Sequence, residues 1–371
     1  MAQLTFKPIP LPADYVNNDT LPRINLGLRP SLLLVLVAGL LGVFLLSLAV
    51  GSVEIPFNQI VTVLLGGEAE RTAWTNIVLK FRLPKALTAM LAGMALGVSG
   101  LMMQTFFRNP LAGPFVLGVS SGASLGVAIV VLSTGAIGGT LMAGLGLSGD
   151  LLLAMAAGLG AGVTMVLVLL VSVRIQSSMT LLILGLMFGY LVSALVSLLL
   201  YFAVPERIQA YINWTFGSFG GVTWDQLPIL AGVVSVGLVL AFLLTKSLNA
   251  LLLGENYARS LGMNVFLARV GIIASTALLA GVVTAFCGPI GFIGIAVPHL
   301  CRSLFNTSDH RLLVPGTILM GAIVALVASL IAEVPGNNLV LPLNAVTALM
   351  GAPIVIAVIL RQRNIGKSFA S

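Results

Sequence analysis

Glu255 and Arg259 stand four residues apart, acid first, in the polar stretch 246–264, which separates two apolar runs each long enough to cross a bilayer. That spacing and order support a helix. Gly254 can break the structure before it, and Gly262 can end it. A short helix held outside a membrane, presenting Ala258 and Leu261 beside charges, has the chemistry of a docking surface. The plainer reading is a solvated loop with one helical turn. A second pair of charges, Arg82 and Lys85, flanks Leu-Pro at the mouth of another apolar run. These cations either meet lipid headgroups or receive acidic side chains of an external protein. In the second case charge complementarity would set orientation and association rate more than affinity.

Other residue groups that could do chemistry do not hold together. Gly366-Lys367-Ser368 has the letters that end a P-loop, but the glycine required five residues before Gly366 is Arg361, and no strand leads in. Gly144, Gly146 and Gly149 match a dinucleotide fingerprint by letters alone. The chain is therefore expected to lack an ATPase of its own and to receive any ATP energy through a partner. No His, Cys, Asp or Glu cluster has metal-ligand spacing. His299, after Pro298, reads as packed or hydrogen-bonded. His310 sits in the turn Ser308-Asp309-His310-Arg311 and reads as a local cap or pair. Cys287 and Cys301 lie in apolar sequence and read as small buried hydrophobes. The apolar runs hold almost no acids, with Asp150 and Glu333 only at their ends. That weighs against an ion-gradient-driven secondary transporter, although such carriers also use interrupted helices.

The elements that carry these residues follow from composition. Of 371 residues, 58% are hydrophobic and 8% are charged, with mean hydropathy +1.12. Soluble domains carry about 25% charged residues, so the chain reads as an all-α integral membrane protein with no room for a soluble catalytic domain. The apolar runs predict spans at 31–53, 86–107, 115–134, 151–173, 181–204, 226–245, 312–332 and 343–360. A further uncharged run, 270–301, is 32 residues long, more than the ~20 one helix needs. Gly288-Pro289 breaks it into a seventh span and a short eighth at 291–301, which makes about ten. Residues 54–80 read as an outer loop, and 205–225 as an outer segment with an interfacial helix. Residues 1–30 and 363–371 read as cytoplasmic tails around a permease domain, 31–362. Ten spans put both termini on one face. That face holds 13 of the 18 Lys and Arg and the opposite face five, which places termini and the 246–264 stretch in the cytoplasm. The net charge of +7 reflects this scatter rather than a nucleic-acid surface.

Several motifs then resemble one family. They are Phe-Arg-Leu-Pro-Lys (81–85), Met103-Gln-Thr-Phe-Phe-Arg-Asn-Pro-Leu-Ala-Gly-Pro114, Leu117-Gly-Val-Ser-Ser-Gly-Ala123 and Gly254-Glu-Asn-Tyr-Ala-Arg-Ser-Leu-Gly262. Gly291-Phe-Ile-Gly-Ile-Ala-Val-Pro-His299, Asp309-His-Arg311 and Leu341-Pro-Leu-Asn-Ala-Val-Thr-Ala-Leu-Met-Gly-Ala-Pro353 belong with them. In this order, over about 31–362, they are similar to the iron-chelate and cobalamin permeases of type II ABC importers. The resemblance implies ten helices per subunit and a bacterial inner-membrane dimer with a second permease copy, identical or homologous. It implies two cytoplasmic ATP-binding subunits that carry ATP-Mg, no cofactor in this chain, and a periplasmic or lipoprotein substrate-binding protein. It makes 254–262 the coupling helix, with Gly254, Glu255, Ala258, Arg259, Leu261 and Gly262 at the ATPase. Arg82 and Lys85 would meet glutamates of the binding protein, and Ser177, Ser178 and Met179 would form the inner gate. Lys85 stands where the family has arginine, keeping the charge without the bidentate fork. Where some members have a further outer arginine near the end of helix nine, the best match here is Glu333. The substrate implied first is a ferric siderophore or haem, and cobalamin second.

Overall fold

The computed structural model describes residues 30–51, 53–132, 149–175, 177–333 and 340–368, and among these all regular structure is helical. In chain order the helices are α1 (Pro30–Ala49), α2 (Phe57–Leu64), α3 (Thr72–Phe106), α4 (Val119–Leu132), α5 (Gly149–Arg174), α6 (Ser178–Tyr201) and α7 (Pro205–Thr215). After these come α8 (Leu227–Leu243), α9 (Thr245–Leu252), α10 (Glu255–Ser260), α11 (Val265–Cys287), α12 (Ile293–Phe305), α13 (His310–Ala332) and α14 (Leu343–Ser368). Six of them are long and apolar enough to cross a membrane. The pair α8 and α9, bent by 51°, makes a seventh, and α4, α12 and the apolar part of α14 are shorter. The chain is thus an all-helical, multi-pass membrane protein. Residues 1–29 of the expected tail and the whole glycine-rich stretch 133–148 lie outside the described residues.

α3 is the hub. Its apolar window is 78% buried inside the chain, against 17% for α1 and 22% for α6. It packs against α11, α12 and α13, while α4, α5 and α6 form a second group joined to the hub side through α11. Small residues allow this closeness, as expected where van der Waals contact rather than hydrophobic exclusion joins helices in lipid. At Gly100 a Cβ would lie 1.7 Å from the Gly294 carbonyl oxygen, so α3 and α12 touch backbone to backbone.

Two expectations are corrected. Residues 54–80 are not a plain loop. α2 lies within them, and α3 starts at Thr72, passing through a π-helical stretch, Ile77–Arg82, before Pro84. Proline cannot donate to the ladder, and its ring crowds the carbonyl one turn back; the widened turn relieves that crowding. The Leu79 carbonyl accepts the indole N–H of Trp224 instead, at 2.9 Å. The third expected span is also shorter: a 3-10 turn, Pro114–Leu117, precedes α4.

The break after α11 falls at Gly288-Pro289, as the sequence suggests. Gly288 takes φ +75°, and a Cβ there would meet the Trp214 carbonyl oxygen at 2.6 Å. Irregular backbone at membrane depth must be satisfied by protein. Here Ser218 N–H donates to Cys287 O at 2.8 Å, and Gly291 N–H donates to Asn344 Oδ1 at 3.0 Å.

Candidate functional site

The candidate residues gather at the two ends of the bundle. The end with the 246–264 stretch is called basal here, and the end with Arg82 and Glu333 apical.

At the basal end the short helix exists. Gly254 precedes it at φ +107°, a backbone region open to glycine. Gly262, at φ +80°, closes it, and Met263 N–H donates to Ala258 O at 3.1 Å. The side chains point differently from expectation. Ala258 is fully buried and serves as packing, whereas Leu253, Tyr257 and Leu261 are at least half exposed. Tyr257 and Leu261 are four apart and share one face of the short helix, and Leu253 stands before the Gly254 break. Arg259 is exposed, and Glu255 forms an ion pair with Arg269, at 2.9 Å.

Arg269, one turn into α11, is 5% exposed. Its Nη1 donates to Ile175 O at 2.6 Å and reaches Ser172 O at 3.5 Å, both at the end of α5, and its guanidinium lies 5.8 Å from the Phe106 ring centre. A cation at a helix C-terminus meets carbonyls that have no partner within the helix. Ile175 leads directly to the expected gate residues. Ser177 caps α6, accepting from Thr180 N–H at 3.3 Å, and Met179 is 65% exposed. Ser178 is the first residue of α6, and Gln176 lies outside the described residues.

On the other flank of the short helix, α9 is anchored by Asn249. Its Nδ2 donates to Asp309 Oδ1 at 2.7 Å, and its Oδ1 accepts from both His310 N–H (2.9 Å) and His310 Nδ1–H (2.8 Å). The far ring nitrogen of His310 lies 2.8 Å from Thr105 Oγ1 on α3. His310 thus pairs across 205 residues rather than locally. Asp309 also caps α13 by accepting from Arg311 N–H at 2.9 Å. Burial opposes ionisation of the Asp309 carboxylate, but the Arg311 amide, Asn249 and the Arg311 and His310 charges outweigh it and hold the carboxyl below its ordinary value. His299 is hydrogen-bonded, as expected, to the Pro110 carbonyl at 2.8 Å. Among the described residues no group of three His, Cys, Asp or Glu could hold a metal.

At the apical end neither expected docking cation is simply presented outward. Arg82 is 8% exposed. Its guanidinium donates to Leu48 O (2.7 Å), Ala49 O (2.9 Å) and Val53 O, and so caps the end of α1. A Cβ at Gly51 would come within 2.7 Å of Arg82 Nη2, so a larger residue there would make the guanidinium shift. Lys85 pairs with Glu333 at the end of α13. The acid that departs from the family pattern therefore has its partner within the chain.

Comparison with known proteins follows this geometry. The family model of the FecCD transport family matches residues 38–361. The vitamin B12 import system permease protein BtuC of Citrobacter koseri is 37% identical over 287 residues, 77% of this chain and 83% of that protein. The protein of the same name from Klebsiella pneumoniae is 36% identical over 328 residues, 88% of this chain and 92% of that protein. Among solved structures, an inward-facing metal-chelate type ABC transporter superposes with TM-score 0.76 at 29% identity, covering 90% of this chain and 99% of that one.

Proposed function

Because the chain belongs to the FecCD transport family and is thus a permease of the ABC importer class, we propose that it carries cobalamin or a closely related corrinoid inward across a bacterial inner membrane. The observation that carries the substrate is the 36–37% identity to permeases named for vitamin B12, over 77–88% of the chain. This reverses the order suggested by the motifs, which put an iron chelate first. A ferric siderophore or haem is the second reading, and the metal-chelate transporter among the structural relatives favours it.

In the proposed mechanism all ten apolar helices cross the membrane, the three shorter ones included, with the basal end and both termini in the cytoplasm. Two copies meet around a central path. α6, only 22% buried within one chain, has the free surface for such a contact. Two ATP-binding subunits dock on α10 and its flanks through the exposed Leu253, Tyr257 and Leu261, with Arg259 beside them. A binding protein delivers its cargo at the apical end, where Lys85 and Glu333 offer both charges and Arg82 holds the surface in shape. ATP-driven closure of the ATPases moves α10, and Ser177, Ser178 and Met179 part to release the cargo. The permease makes and breaks no bond.

The test is uptake into proteoliposomes that contain the permease, its ATPase and its binding protein, with cyanocobalamin and a ferric siderophore as separate cargoes. ATP-dependent, vanadate-sensitive uptake of cyanocobalamin is expected. Uptake of the ferric chelate alone would move the reading to iron. Uptake that a protonophore abolishes and that ignores ATP would replace both with an ion-driven carrier.

A further inference from the structure

We propose that Arg269 is the positioning residue that ties α10 to the C-terminal end of α5, making one guanidinium the joint between the ATPase-docking helix and the inner-gate side of the chain. The inference rests on the permease reading above and deepens it.

The reasons are geometric. Arg269 belongs to α11 but bonds to three other elements. It holds Glu255 Oε1 on α10 at 2.9 Å and Ile175 O at the end of α5 at 2.6 Å, and it lies over Phe106 at the end of α3. Ile175 is two residues from Ser177, the cap of α6. A displacement of α10 therefore reaches the end of α5 through two side chains, Glu255 and Arg269. Arginine suits the task because its planar fork can face a carboxylate and a carbonyl at once, whereas an ammonium is a single compact charge on a flexible stem. Burial adds stiffness: at 5% exposure little water can replace either bond. Glu255 itself is named for the docking helix, but its charge turns inward to the joint.

The experiment reads the gate rather than the fold. Met179→Cys would be introduced into the permease purified in nanodiscs with its ATPase subunits and labelled with a water-soluble maleimide. Cys287 and Cys301 are buried and give little background. With Arg269 present, ATP plus vanadate should change the labelling rate at 179 by about fivefold or more, the low end of ordinary allosteric coupling. With Arg269→Gln the ATPase should remain bound while that change shrinks to less than about twofold, and Arg269→Lys should fall between. A full nucleotide response in Arg269→Gln would overturn the inference. If Arg269→Gln does not give a folded complex, Glu255→Gln breaks the same pair from its more exposed side and must blunt the response likewise. Failure of the underlying reading looks different: the complex with Arg269 intact would bind no ATPase or show no response to nucleotide.

Discussion

Arg82 at the apical end and Arg269 at the basal end are both buried arginines at a helix terminus, with 8% and 5% exposure. Their partners differ in kind. Among the described residues Arg82 bonds only to backbone carbonyls, all between Leu48 and Val53, so it closes one helix end locally. Arg269 joins a carboxylate on one element to carbonyls on another. The first arrangement can hold a shape, and the second can also pass on a displacement. The apical contact is thus a fixed cap and the basal one a link between parts, a difference that the mechanism proposed above uses.

The sharpest way to break this comparison is to remove the apical cap. Arg82→Ala deletes three hydrogen bonds from a charged donor, each worth about 1.5–3 kcal/mol in favourable settings. Water at the membrane surface can re-solvate some of the freed carbonyls, so we expect a net loss of about 4 kcal/mol, read as a lower thermal unfolding midpoint in detergent. Arg82→Lys should recover less than half, because one ammonium cannot span three carbonyls. Equal stability of Arg82→Ala and the parent would show that the cap is ornamental and that Arg82 is free for another role.

A smaller effect is expected in the basal network. Asn249→Ala leaves Asp309, the His310 amide and the His310 ring each without one partner, and we expect a cost of about 2 kcal/mol. The unfolding midpoint should fall, with α9 protected less from amide exchange than α8. The same network gives a pH dependence of definite sign. The Asp309 carboxyl is held below its ordinary value of 3.8 in the folded chain. Its contribution is therefore complete above the ordinary value and is lost as pH falls through the folded value. Asp309→Asn should flatten the stability profile below about pH 4 and leave it unchanged at pH 7 apart from a constant offset. An unaltered acid limb would show that Asp309 has no such role.

The legible and illegible parts of the chain divide by sequence distance. Apolar runs located the long helices, Gly288-Pro289 located the break, and Gly254 with Gly262 located the short helix, because each signal lies within a few residues of its effect. Helical spacing sets Glu255 near Arg259, whereas its ion pair with Arg269, 14 residues on, has no local signal. Ala258 and Leu261 could not be sorted into buried and exposed, since six residues of helix carry too little period to fix a face. Arg82 looked like an outward cation because its three carbonyl partners carry no residue-type signal. α3 begins earlier than its apolar run because Lys80 and Arg82 lower hydropathy within the helix. Lys85 and Glu333 are 248 residues apart, and nothing local to either one names the other.

That last pair sharpens the comparison most finely. Lys85 and Glu333 keep 22% and 27% of their side-chain surface exposed, so water and salt screen their attraction, and an exposed pair is worth under about 1 kcal/mol. A double-mutant cycle with Lys85→Ala and Glu333→Ala should give a coupling in that range, smaller at 0.5 M than at about 0.15 M salt. If the apical end is a docking platform, the pair's larger effect lies in association instead. Lys85→Glu places two acids together and should slow binding-protein docking, with the defect steepest at low ionic strength. Glu333→Ala, which releases Lys85 toward an acidic partner, should speed it. Unchanged association rates in both variants, across salt, would mean that the pair only ties α3 to α13 and that the binding protein reads another part of the apical surface.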